Sequence, residues 1–288
     1  MPTTLITTEG LAARLLASDL VVCDVRHDLA QPDSWGEAEY RRAHIPGALF
    51  VHLDRDLSSR KTGTNGRHPL PAPEATAALF GRLGIDSGKQ VVVYDQGGGM
   101  YAARLWWMLQ WLGHNKAALL DGGFAKWVSD GRTTSTAVPA PHTALFAIRQ
   151  VKPTVNATGI AASLARRSLT LIDARVPERF RGEIEPLDPV AGHIPGARNR
   201  PFASNLKPDG TFKPPAALHE EFTTLLAGTP ASDVVHQCGS GVTACHNLLA
   251  MEVAGLPATR LYPGSWSEWC ADPARPVAQG DDNAVSGR

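Results

Sequence analysis

Cys238 lies in the run HQCGSGVTACHN, residues 236–247, where the thiol is followed by Gly239, Ser240, Gly241, Val242 and Thr243. A thiol attacks only as its thiolate, and a free cysteine, with an ordinary pKa of about 8.5, is mostly protonated at neutral pH. The two glycines remove side chains, so successive backbone N–H groups can turn inward as an anion-binding nest. A helix starting near Val242 to Ala244 would aim its positive dipole end at the same spot. Ser240 and Thr243 add hydroxyl donors. This combination suits a nucleophilic sulfur, or an anion bonded to it, held without a metal.

The plainer reading of a cysteine after an apolar run is core filler, since Cys is among the most buried residue types. That reading is preferred for Cys23 in LVVCDVR and for Cys245, and nothing recruits Cys270. For Cys238 the glycine loop and the helix start reverse it. The four cysteines form no CxxC pair and no Cys/His cluster of zinc-finger spacing, so no metal, organic cofactor or disulfide framework is expected.

The elements that position the loop occur twice. LVVCDVR (20–26) matches LTLIDAR (169–175), and AHIPGA (43–48) matches GHIPGA (192–197), both pairs 149 residues apart. VVVYDQGGGMYAARL matches DVVHQCGSGVTACHN, and DGGFAKW (121–127) matches PGSWSEW (263–269), both 142 residues apart. The first copy thus carries about seven extra residues between its HIPGA and its glycine loop, in the polar stretch DLSSRKTGTNGRHPLP. Tandem copies of one domain are expected: 1–135, a Thr/Pro/Ala-rich extended linker over 136–153, a second domain over 154–280 and a loose tail at 281–288. In each copy an amphipathic helix (Leu11, Leu15 and Leu16 in the first) precedes a short apolar strand ending in Asp-x-Arg. Strands alternating with helices indicate an α/β fold, with a mostly parallel sheet flanked by helices in each domain. Ligands of such sheets sit at the carboxyl ends of the strands, where Cys238 falls. The first copy has Gln96 there, so one copy is equipped for chemistry and the other is not.

The chain has 288 residues, a formal net charge of zero, 43% hydrophobic and 19% charged residues, values of an ordinary globular protein. The charge balance argues against nucleic acid or an anionic membrane as partner. No apolar run approaches the roughly 20 residues of a membrane span, and the N-terminus lacks signal-peptide character, which points to the cytoplasm. The three glycines at 97–99 fit no phosphate-binding pattern.

Together the duplication, the two HIPGA segments and CGSGVTAC resemble the two-domain sulfurtransferases of the rhodanese superfamily, along nearly the whole chain. The resemblance implies two rhodanese-like domains with the active cysteine only in the second. It also implies a chemistry in which Cys238 takes a sulfane sulfur as a persulfide and passes it to a thiol, such as thioredoxin or a small thiol, or to cyanide.

Members that use thiosulfate commonly place cations directly after the cysteine, whereas members that use 3-mercaptopyruvate resemble CGSGV. The resemblance makes Arg179, in ARVPERFRGEIEP, the group that binds the donor's carboxylate or keto oxygen, a task suited to a guanidinium. Asp188 stands where mercaptopyruvate enzymes often carry a second arginine, which keeps thiosulfate as an alternative donor. The resemblance further implies a proton relay of Ser240, His44 and Asp33, with Asp28 as a neighbouring choice for the aspartate. Against this, His44 and His193 occupy the same motif in both copies, as structural histidines would. The expected donor-binding residues are Arg179, Gly239, Gly241, Val242 and Thr243.

Two rival classes are weighed. A cysteine phosphatase would close a C(x)5R loop with arginine, but the residue at that position is Ala244. A catalytically silent binding module is the other, opposed by the intact cysteine loop.

Overall fold

The structure is a computed structural model that describes residues 4–140, 142–166, 168–257 and 259–281. The chain forms two compact units that are not contiguous in sequence. The first comprises Met1–Ser59, Pro71–Lys152 and Leu206–Phe212; the second comprises Arg60–Leu70, Pro153–Asn205 and Lys213–Arg288. The polar insertion counted with the first copy therefore supplies an eleven-residue segment, 60–70, to the second unit.

In the first unit the elements run β1 (Leu5–Ile6), α1 (Thr8–Ala12), β2 (Leu20–Asp24), α2 (Trp35–Arg42), β3 (Leu49–Phe50), α3 (Pro73–Arg82), β4 (Gln90–Tyr94), α4 (Ala102–Trp111), β5 (Ala117–Leu120) and α5 (Gly123–Ser129). All five strands pair in parallel, in the order β1-β5-β4-β2-β3. The β-branched run of β4 is buried, as expected of a strand covered on both faces. Leu11, Val22, Ile45, Val92, Tyr94 and Trp127 meet in one core cluster. The N-terminal helix is shorter than its pattern suggests. Thr7 caps it by accepting from Gly10 N, and it stops at Ala12, so Leu11 is buried while Leu16 lies beyond the helix in solvent.

Residues 142–152, part of the expected linker, are neither helix nor strand, yet they belong to this unit. Ala144 N donates to Gly81 O and Lys152 N to Trp111 O, while Phe146 packs on Phe80 with ring centres 5.0 Å apart.

The second unit contains α6 (Ala157–Arg166), β6 (Thr170–Asp173), α7 (Pro177–Arg181), β7 (Arg198–Asn199), α8 (Pro215–Leu226), β8 (Val234–Gln237), α9 (Thr243–Val253), β9 (Arg260–Leu261) and α10 (Ser265–Trp269). Its four parallel strands lie in the order β7-β6-β8-β9. The fold class is thus α/β, with two parallel sheets flanked by helices. Both Asp-x-Arg corners are buried ion pairs, Asp24–Arg26 and Asp173–Arg175, each 2.7 Å long. Each arginine also donates to a carbonyl at the start of its HIPGA motif, of Ala43 and Gly192 respectively. A buried charge pair of this kind is stable because further hydrogen bonds satisfy the remaining donors. No helix among the described residues is long and apolar enough to cross a membrane. Of the expected loose tail, 282–288 lies outside the described residues.

Candidate active site

Cys238 is the first residue after β8 and is only 2% exposed. Two carbonyls of the loop are held by the start of α10: Trp266 N donates to Cys238 O and Ser267 N to Gly239 O. Within the loop, Gly241 N donates to Cys238 Sγ at 3.1 Å. Gly241 makes this turn with φ +77°, and a Cβ there would stand 2.3 Å from Pro263 O. Val242 caps α9 and Thr243 opens it, so the eleven-residue helix begins beside the sulfur. A sulfur anion at this place faces both a backbone donor and the positive end of a helix.

Ser265 holds the cysteine from behind. Its hydroxyl accepts from Cys238 N at 3.1 Å and donates to Tyr262 O at 2.9 Å. Its backbone lies in the left-handed region, at φ 54°, which costs a non-glycine residue about 1–2 kcal/mol. The corresponding residue of the first copy is Gly123, at φ 59°. A serine is therefore retained at a glycine position where its hydroxyl anchors the cysteine. Ser265→Ala keeps the strain and loses the bond, an expected cost of about 1–3 kcal/mol. Ser265→Gly loses the same bond but releases the strain, so chemical denaturation should rank the glycine variant above the alanine variant.

The matching loop of the first copy is built differently. Asp95, one residue before Gln96, turns its carboxylate into the loop and accepts from the N–H groups of Gly97, Gly99, Tyr101 and Ala102 at 2.8–3.1 Å. Gly99, at φ +90°, occupies the same conformational slot as Gly241. The first nest is thus filled by the protein's own anion. In the second copy the matching position holds Gln237, which is neutral and fully buried, and the nest is open to the sulfur.

Arg179 stands on α7, and its guanidinium reaches the cysteine loop. A Cβ on Gly239 would lie 3.5 Å from Arg179 Nη1 and 2.8 Å from Nη2 of a second arginine, Arg67. Unlike Gly241, Gly239 has no positive φ, and a side chain there would crowd the ends of these two arginines. Arg179 donates to Glu185 from Nε at 3.2 Å and from Nη2 at 2.6 Å, and to Asp188 at 3.3 Å. Asp188 also pairs with Arg67 Nη1. Arg175 completes the cluster through Glu185 at 3.4 Å. Burial disfavours the Arg175 charge, but Asp173, Glu185 and the neighbouring Cys238 more than offset this, and its pKa is raised.

Ser240 does not meet the histidine expected from the motif. Its Oγ lies 2.7 Å from Nδ1 of His68, both side chains being buried in the second unit. His44 belongs to the first unit, where Nδ1 bonds to Tyr40 O at 2.7 Å and Nε2 to Ala137 O at 3.0 Å. It stacks on Tyr40, with ring centres 4.1 Å apart. His193 repeats this arrangement, with Nδ1 to Phe180 O at 2.8 Å and a stack of 3.8 Å on Phe180. The HIPGA histidines are thus packing and turn residues. Asp33 is exposed and precedes α2 while His44 follows it, and a helix of eight residues is about 12 Å long. Ser240 is thus hydrogen-bonded to His68, while the expected partner His44 is bonded to Tyr40 O and Ala137 O and the expected aspartate, Asp33, is exposed.

A family model for the rhodanese-like domain matches residues 7–130 and 157–272, one match for each copy of the repeat. The chain belongs to the rhodanese family. A probable 3-mercaptopyruvate sulfurtransferase from Pseudomonas aeruginosa is 49% identical over 96% of this chain and 98% of its own length. A putative thiosulfate sulfurtransferase, SseB, from Mycobacterium tuberculosis is 42% identical over 96% of this chain and 97% of its own. The crystal structure of SseA from Escherichia coli, described with the catalytic mechanism of 3-mercaptopyruvate sulfotransferases, superposes with a TM-score of 0.79 at 31% identity, covering 92% of this chain and 99% of that one. This chain is a sulfur-transferring enzyme, which sets the silent-module alternative aside.

Two residues of the site were not found by sequence reasoning, Arg67 and His68. Both lie on the insertion in GRHPLP, which the repeat alignment assigned to the first copy. The available signal was a basic pair inside a polar stretch about seven residues longer than its counterpart in the second copy.

Proposed function

We propose that this protein transfers sulfur from 3-mercaptopyruvate through a persulfide on Cys238. The reading rests on the Ser240–His68 hydrogen bond in the loop of the nucleophile. In 3-mercaptopyruvate the sulfur carries a proton, and the carbon it leaves must gain one. The Cys238 thiolate attacks the donor sulfur, forming the S–S bond as the C–S bond breaks and its electron pair stays with carbon. The proton lost from the donor thiol is returned to that carbon, and pyruvate departs. A serine hydroxyl bonded to an imidazole is suited to moving such a proton. The persulfide is then the outer anion of the nest formed by residues 239–243. Thiosulfate has no proton to move, and its cleavage leaves sulfite.

Arg179 binds the carboxylate and keto oxygens of the donor. The acceptor is a thiol nucleophile, a small thiol or a thioredoxin-type dithiol, with cyanide as a laboratory substitute. It attacks the outer sulfur and regenerates the Cys238 thiolate.

Side-by-side kinetics with the two donors test this reading. A higher kcat/KM for 3-mercaptopyruvate supports it. A higher value for thiosulfate would instead align the protein with its Mycobacterium tuberculosis relative and overturn the donor assignment.

A further inference from the structure

Asp188 removes a positive charge from a place where an anionic donor would use one, and the structure contains a replacement from a distant part of the chain. Arg67 lies on the 60–70 segment, which is fastened to the second unit by its backbone. Arg67 N donates to Ser267 Oγ at 3.0 Å. Gly66, at φ +85°, passes so close to Gly264 that a Cβ would stand 2.9 Å from its carbonyl oxygen. His68, the next residue along, is the partner of Ser240. The side chain of Arg67 is 25% exposed, while that of Asp188 is 3% exposed.

Carboxylates hold both arginines beside the loop. Asp188 takes Arg67 by Nη1, and Glu185 and Asp188 together take Arg179 by Nε and Nη2. A Cβ on Gly239, the residue after the nucleophile, would lie 2.8 Å from Arg67 Nη2 and 3.5 Å from both Nη1 and Nη2 of Arg179, of which Nη2 is the one bonded to Glu185 and Asp188. Two guanidinium edges thus converge beside Cys238, each fixed from behind by a carboxylate. A planar carboxylate or a small oxyanion matches such a pair of donors.

We propose that Arg67 is a donor-binding residue, gripping the anionic end of the sulfur donor together with Arg179, and that Asp188 positions it rather than weakening the site. The inference builds on Cys238 as the sulfur-accepting group and holds for either anionic donor. It accounts for a carboxylate tolerated near an anion site.

The test is a set of steady-state measurements on the full-length protein with Arg67→Gln and Arg67→Lys, using the donor that the wild type turns over better. Loss of a charge-assisted hydrogen bond should raise the donor KM of Arg67→Gln about tenfold or more. The lysine variant should recover part of this, since it keeps the charge and loses the fork. Discharge of a preloaded persulfide to a neutral thiol involves no donor and should proceed at the wild-type rate in both variants. An unchanged donor KM would overturn the proposal, as would an equal slowing of persulfide discharge, which would mark Arg67 as a support of the loop. The wild-type preference between donors decides the earlier reading separately, because the variant-to-wild-type KM ratio is measured with either donor.

Discussion

Replacing Cys238 with serine is expected to lower sulfur transfer at least about 10³-fold, because no other group at the site can carry the sulfur. Serine keeps the backbone bonds of the loop: the Ser265 and Trp266 contacts use Cys238 N and O, and only the Gly241 bond uses the side chain. The variant should therefore fold normally, with its unfolding midpoint close to that of the wild type. The other three cysteines do not substitute. Cys23 is completely buried and its thiol is pushed up to about 12 by burial and by Asp24. Cys270 is raised to about 11, mainly by burial. Cys245 is buried within α9 and donates its S–H to Gly241 O at 3.3 Å. Activity retained by Cys238→Ser would place the nucleophile elsewhere.

The second large effect is expected at His68. His68→Gln fills a similar space but cannot exchange a proton, and it should lower kcat for 3-mercaptopyruvate by about 10²–10⁴-fold, the ordinary worth of a positioned acid–base group. Thiosulfate turnover should fall much less, since its S–S bond breaks without proton movement. Ser240→Ala should show the same selectivity between donors. Equal losses with both donors would reduce the pair to a support for the loop. His44→Gln supplies the contrast: it breaks the stacked turn on Tyr40, so its effect should appear in the unfolding midpoint and not in donor selectivity.

The residues differ in how legible they were. Cys238 could be read from the chain because the duplication provides its own comparison, with Gln96 in the same slot. The first loop differs in a second way, the Asp95 carboxylate that fills its nest, which the match of Asp95 with Gln237 did not express as chemistry. A carboxylate becomes a nest filler only once the loop folds around it. Arg179 was assigned by family likeness, and its local placement follows from Pro177 at the start of α7 and Gly182, at φ +78°, at its end.

His68 and Arg67 were not legible, for a topological reason. Their segment lies early in the chain, beside the first copy's strands in sequence, but packs with the second unit through Gly66 and Ser267. Periodicity and repeats describe local structure and say little about such an exchange. Asp188 was read as a missing cation for the same reason, since the arginine it holds lies 121 residues away. The HIPGA histidines carried the opposite lesson. Their occurrence in both copies already indicated a shared structural task, and the matching stacks on Tyr40 and Phe180 are its physical form.

The most direct measurement is intact-protein and peptide mass spectrometry after one equivalent of 3-mercaptopyruvate is added without an acceptor. The expected result is a gain of one sulfur atom on the peptide containing Cys238, formed together with pyruvate, lost on addition of a thiol and absent in Cys238→Ser. Pyruvate release without added sulfur on Cys238, or sulfur found on another residue, would contradict the mechanism.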